Sequence, residues 1–149
     1  MLVYLADDRG ARGEYAHFLK AYGSLLPAID LEVFSHWYGL EEAMLRCVPD
    51  IILLDMRFDE TPTALLYGDI ENVAASERFC GDLKLAEAQI RESQGLLLVR
   101  AIRESGVQAP IILFASLPPK QRERLLNYAA PIYIIEGLIL EELQNALKN

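Results

Sequence analysis

The chain has 149 residues, 52% of them hydrophobic, and a formal charge of −8 at neutral pH. Its length and apolar content suit one domain, residues 1–149, with a substantial core, and its charge disfavours gripping nucleic acid through clustered Lys and Arg. No apolar stretch reaches bilayer length and Met1 leads straight into a strand-like segment without a signal-peptide pattern, so a cytoplasmic protein with no direct nucleic-acid or membrane partner is expected.

Leu2–Ala6 reads as the first strand and runs into Asp7 and Asp8. These adjacent acids are either working groups at a strand end or a cap and first-turn acid for the next helix, and the two readings can coexist. Tyr15, Phe18, Leu19 and Tyr22 fall at i, i+3, i+4 and i+7, one buried helical stripe stopping at Gly23, with His17 beside it as a partly solvated side chain. Residues 31–34 form a less apolar strand that suits a sheet edge. Leu40, Ala43, Met44 and Cys47 return to helical spacing, and Pro49 ends that helix. Cys47 and Cys80 are too few for a disulfide framework or a four-ligand zinc site and read as buried or incidental thiols.

Residues 51–54 are apolar without alternation, the pattern of a strand buried on both faces in the middle of a parallel sheet. The strand ends on Asp55, at the carboxyl edge where open α/β sheets bind ligands. Met56, Arg57 and Phe58 do not resemble a first helical turn, so Asp55 reads as a working group in preference to a cap.

Residues 58–93 are too long for a simple connection and carry structure of their own. Thr61 and Pro62 read as an N-cap and first-turn pair, followed by Leu65, Leu66 and a stop at Gly68; Asp69 and Asp82 read as further caps. Leu83, Ala86 and Ile90 mark the apolar face of a longer helix. Gln94 and Gly95 interrupt before a buried helix over 96–102 that ends near Gly106. Residues 110–114 are another apolar strand, and Pro118 and Pro119 start a helix carrying Lys120, Arg122 and Arg124, with Leu125 and Leu126 inward. Residues 131–135 form the last strand; Gly137 breaks it, and Ile139, Leu140, Leu143 and Leu147 mark a final amphipathic helix. The alternation predicts an α/β fold, a doubly wound five-stranded parallel sheet with a helical insert after the third strand.

In such a sheet the first and third strands are neighbours, which brings Asp7, Asp8 and Asp55 together. Three carboxylates in one cleft repel, and the remedies are a bound hard cation, Mg²⁺ being the expected one, or a raised pKa on one member. With Mg²⁺ held there, an oxygen of Asp55 could attack an incoming phosphoryl group.

At this point the sequence resembles the receiver domains of response regulators in two-component signalling. The matching pieces are residues 3–8, 50–55, 94–103 and 110–113, together with Tyr133. The resemblance implies a flavodoxin-like domain that accepts phosphate on Asp55 from a histidine kinase or phosphotransfer protein. It also implies Mg²⁺ on Asp8, Asp55 and the backbone carbonyl of Arg57, with Asp7 acting through water, and a downstream effector or fused output domain. The chain reads either as a stand-alone regulator or as the receiver portion of a longer protein.

The departures are specific. The family's hydroxyl after the fourth strand falls on Ala115, leaving Ser116, one step later, as the candidate hydroxyl. The family's lysine on the last strand falls on Glu136, which replaces a cation with an anion and leaves Arg9 and Arg57 as candidate positive charges. The alternative is therefore a pseudo-receiver that keeps the fold as a phosphorylation-independent interaction module. A metal-dependent hydrolase or a dinucleotide fold is disfavoured, because Arg57 stands where a second aspartate would be required and 10–13 is not a G-x-G-x-x-G turn. Either receiver reading uses the last strand and last two helices for signalling, with Tyr133 on that face. Opposite charges on those helices suit a symmetric homodimer, ordinary solvated faces being the alternative.

Overall fold

The computed structural model describes residues 1–148. In chain order its elements are β1 (Leu2–Ala6), α1 (Glu14–Ala21), β2 (Asp30–Phe34), α2 (Trp37–Arg46), β3 (Ile51–Asp55), α3 (Ile70–Ala74) and α4 (Leu83–Glu92). They continue with α5 (Gln94–Glu104), β4 (Ile111–Phe114), α6 (Pro119–Tyr128), β5 (Ile132–Ile135) and α7 (Leu140–Lys148). The five strands pair in the order β2-β1-β3-β4-β5, all parallel. Every carboxyl end of a strand therefore lies along one edge. This is the doubly wound sheet expected from the alternation of strands and helices, in the flavodoxin-like form that the resemblance implies, and the less apolar β2 takes the expected edge position.

Side-chain alternation divides the strands between two cores. Val3, Leu5, Ile51, Leu53, Ile112 and Phe114 face α1 and α7, packing with Tyr15, Leu19, Leu143 and Leu147. Tyr4, Ala6, Ile52, Leu54, Ile111 and Leu113 point the other way, against Leu40 and Met44 of α2, Ile90 of α4 and Leu98 and Ile102 of α5. A strand with both faces covered must be apolar at successive positions, which is why 51–54 shows no period of two.

The long connection after β3 holds a 3₁₀ turn at Thr63–Leu65, then α3 and α4. Asp69 caps α3 by accepting from the Asn72 amide, and Asp82 caps α4 by accepting from the amides of Lys84 and Leu85. Thr61 does not cap. It is buried, and its hydroxyl donates to the Ser35 carbonyl at 2.9 Å, tying the insert to the loop after β2. Phe58, fully buried, anchors the start of the insert in the core, its amide donating to the Arg91 carbonyl at 3.0 Å. The Arg91 guanidinium answers across the same gap. Its Nη1 donates to the carbonyls of Phe58, Asp59 and Thr61 at 3.0, 3.2 and 2.8 Å, and its Nη2 donates to Thr63 Oγ1 at 3.3 Å.

Gln94 and Gly95 begin α5 and have separate tasks. The buried Gln94 side chain accepts from the Tyr67 amide and donates to the Tyr67 and Ile90 carbonyls, so it splices the insert onto α5. At Gly95 an added Cβ would lie 2.6 Å from the Asp55 carbonyl oxygen and 2.8 Å from Met56 Cα. Only glycine lets α5 approach the backbone that leaves β3 this closely.

Several inward assignments fail at helix margins. Tyr22, Leu83, Leu126 and Ile139 are exposed, because each lies at the end of its stripe or on its flank, where no neighbouring element reaches. Both cysteines are exposed and free, Cys47 just past the end of α2 and Cys80 in the loop between α3 and α4.

Because Arg91 satisfies three carbonyls of the insert, Arg91→Ala is expected to destabilise the protein by about 2–3 kcal/mol. Arg91→Lys is expected to recover only part of this, since one ammonium cannot meet these carbonyls and also reach Thr63 and Glu87. Urea denaturation gives the stability, and faster amide exchange over residues 58–63 would locate the loss.

Candidate functional site

Parallel pairing of β1 with β3 places Ala6 beside Leu54, so the next residues, Asp7 and Asp55, leave adjacent strand ends. Asp8 follows at the mouth. Carboxylate oxygens of Asp7, Asp8 and Asp55 all lie within 4.8 Å of one another. The cleft around them has a volume of about 490 Å³ and is also lined by Arg9, Glu14, Tyr15, Arg57, Asp59 and Glu60. Six carboxylates thus face two guanidiniums.

The three aspartates are held differently. Asp7 is only 2% exposed; its Oδ1 accepts from the Arg9 amide at 3.1 Å, while its buried Oδ2 has no hydrogen-bond partner. Gly13 closes on that oxygen so tightly that a Cβ there would overlap it. Asp8 Oδ2 accepts from the Glu60 amide at 2.7 Å, so the insert touches the acid cluster directly. Asp55 Oδ1 accepts from the Met56 amide at 2.8 Å and from the Tyr15 hydroxyl at 3.1 Å.

Burial and neighbouring carboxylates raise Asp7 and Asp55. Burial pushes Asp7 up to about 7; the Arg9 amide offsets part of this, and Asp8 and Asp55 add to it. Burial also pushes Asp55 up to about 6, against the hydrogen bonds from Tyr15 and Met56. The Tyr15 phenol is raised by burial and by Asp55, so it stays a hydrogen-bond donor at neutral pH. Of the two remedies foreseen for a carboxylate cluster, the raised pKa applies to Asp7 and Asp55, and the donor set bears on the other. An all-oxygen donor set with an unpartnered buried oxygen fits a hard divalent cation.

The remaining candidates are spread more widely. Arg57 lines the cleft, but its guanidinium turns to Asp59 at 3.0 Å, and Arg9 pairs with Glu60 at 3.2 Å. Each candidate cation is thus already matched to an acid at the start of the insert. Ala115 is buried at the end of β4, its amide donating to the Ile135 carbonyl. Ser116 and Glu136 are exposed, and neither lines the cleft. Tyr133 is half-buried on β5, in a separate hollow of about 320 Å³ with Arg122 and Leu126 of α6 and Glu142 of α7. His17 is exposed, away from the acids.

Tyr15 is the site residue that periodicity concealed. It belongs to the buried stripe of α1, as its spacing indicates, and its ring packs on Phe114 with centroids 4.6 Å apart. Its hydroxyl nevertheless emerges at the Asp55 carboxylate. The available signal was the choice of tyrosine at a core position, since a buried phenol needs a partner.

No family model matches the chain, and no curated protein matches it. Solved structures do. The Francisella response regulator 1452 receiver domain superposes with a TM-score of 0.63 at 15% identity, covering 99% of this chain and 93% of that one. A response regulator receiver domain protein from Clostridium thermocellum superposes with a TM-score of 0.58 at 14% identity, over 99% of this chain and 91% of that one. The chain therefore has the receiver fold. Among the described residues no helix is long and apolar enough to cross a membrane.

Raised carboxyl pKa values have a definite sign for stability. Between about pH 4 and 7 the folded state holds protons on Asp7 and Asp55 that the unfolded chain has released, so stability is expected to fall as pH rises through that window. Asp7→Asn is expected to flatten the dependence and to raise stability at pH 8 by about 1–3 kcal/mol. Urea midpoints measured from pH 4 to 8 test this; a flat wild-type profile would contradict it.

Proposed function

We propose that this chain is a receiver-type signalling module of a phosphorelay, with Asp55 as the phosphoryl acceptor. The observation that carries the reading is the cluster of Asp7, Asp8 and Asp55 at adjacent strand ends, with a buried Asp7 oxygen that no protein group satisfies. Such a cluster suits Mg²⁺ held by Asp8, Asp55 and the Arg57 carbonyl, with Asp7 acting through water. When bound, the ion offsets negative charge on the carboxylates and on an incoming phosphoryl group.

The chain's own groups do the rest. Met56 and Tyr15 donate to Asp55 Oδ1, which leaves Oδ2 as the oxygen that attacks. Attack on a phosphohistidine forms an O–P bond and breaks the P–N bond; its electron pair returns to the imidazole, which takes up a proton. The partners this reading requires are a histidine kinase or phosphotransfer protein upstream and an effector or fused output domain downstream. The natural docking face is α6–β5–α7, where Lys120, Arg122 and Arg124 of α6 and Glu141 and Glu142 of α7 offer opposite charges to a partner or a second copy. A homodimer through that face would show as a concentration-dependent mass in sedimentation.

A second reading has its own support. The cleft lacks a hydroxyl at 115, position 136 is an acid, and Arg9 and Arg57 are already paired. That combination suits a pseudo-receiver that signals by docking alone.

One titration separates the two. With Mg²⁺ present, beryllofluoride is expected to shift amide resonances around Asp8, Asp55 and Ala115 saturably, and Asp55→Asn is expected to abolish the response. Absence of any shift in the wild-type protein would leave the pseudo-receiver. Mg²⁺ alone is expected to raise the urea midpoint more at pH 8 than at pH 5, because protons compete for the same carboxylates.

A further inference from the structure

We infer that the Tyr15 hydroxyl is a positioning group that acts as a brake on Asp55, favouring the unmodified carboxylate over its phosphorylated form. The inference rests on the phosphoryl-acceptor reading and names a residue which that reading does not require. The contact is specific: Tyr15 donates to Asp55 Oδ1 at 3.1 Å, the oxygen that already accepts from Met56 at 2.8 Å. The ring is 8% exposed and rests against Phe114, the register partner of Asp55 on β4, so the hydroxyl is aimed by packing and not by a mobile side chain.

The sign follows from charge. A hydrogen bond to an ionised acceptor is roughly twice as strong as one to a neutral acceptor. Before transfer, Oδ1 belongs to an anionic carboxylate. After Oδ2 has bonded to phosphorus, Oδ1 is the carbonyl oxygen of a neutral acyl linkage, and the bond from Tyr15 weakens. The hydroxyl therefore stabilises the starting state more than the product. It also favours departure of the carboxylate when water later attacks phosphorus, so it shortens the life of the adduct. With no hydroxyl at 115 and an acid at 136, the other donors around this carboxylate are backbone amides, which leaves Tyr15 as its side-chain regulator.

Tyr15→Phe removes the donor and keeps the ring on Phe114; Tyr15→Leu is a second non-donor variant that guards against an effect of packing alone. Beryllofluoride affinity is measured at saturating Mg²⁺ by amide shifts. Adduct lifetime is measured after loading with acetyl phosphate, where Oδ2 bonds to phosphorus and acetate leaves with the electron pair. Both variants are expected to bind beryllofluoride about 10-fold more tightly and to hold the phosphoryl group several-fold longer, each with Mg²⁺ saturating for that protein. A response confined to the variants would also support the brake. Equal or weaker binding in the variants, with wild type responding, would overturn it and leave the acceptor role of Asp55 intact. Silence from wild type and variants alike would remove the acceptor role, and the brake with it.

Discussion

The parallel pairing of β1 with β3 is the constraint from which most other features follow. It brings two strand ends together, and both continue into acids. Asp7 is then fully enclosed, with Gly13 against one oxygen and the Arg9 amide on the other. A carboxylate this deep is costly in a dry setting unless it is protonated, hydrogen-bonded or matched by a cation. The rest of the cleft can be understood as the local response to that cost, in raised pKa values, donated amides and nearby guanidiniums.

The insert takes part in this response. Its first residues, Asp59 and Glu60, pair with Arg57 and Arg9, and the Glu60 amide caps Asp8. The same few residues are held from behind by Arg91 and by the buried Phe58. A segment that departs from the usual receiver pattern thus sits in direct contact with the acid cluster. Asp8 and Arg9 thus join the cluster to Glu60, in a segment wedged between α4 and the loop after β2. The insert is in this sense a wall of the site as well as an appendage to the fold.

The cleft carries a surplus of negative charge that its two arginines do not cancel. Low local dielectric makes such a surplus matter more than it would at an open surface. The arrangement favours a divalent cation over a free phosphate ion, since an anion entering alone would meet a net negative charge. Ala115 at the end of β4 and the exposed Glu136 after β5 add neither a hydroxyl nor a cation to the cleft. Tyr15 is the hydroxyl at this carboxylate, and it comes from α1 in place of the end of β4.

Much of this was legible in the residues themselves. The unalternating run before Asp55, the paired acids after β1 and the capping aspartates at 69 and 82 each express local physics: burial on both faces of a strand, an abrupt change to charge, and a side chain that satisfies open amides. The edge position of β2 followed from its mixed composition. What lay beyond reach depended on approach between distant segments. Thr61 looked like a cap, but its hydroxyl belongs to Ser35; Leu83 and Leu126 looked inward, but no element covers them; Arg9 and Arg57 looked free, but the insert supplies their partners. Tyr15 was read correctly as core and missed as a donor, because helical spacing reports which face is buried and not where the last atom of the side chain ends. The sequence by itself determined the strands, the helices and the convergence of three aspartates, since these follow from periodicity and chain order. Only the tertiary structure decided which donors meet which oxygens, because those contacts span tens of residues and depend on distances that no local pattern encodes.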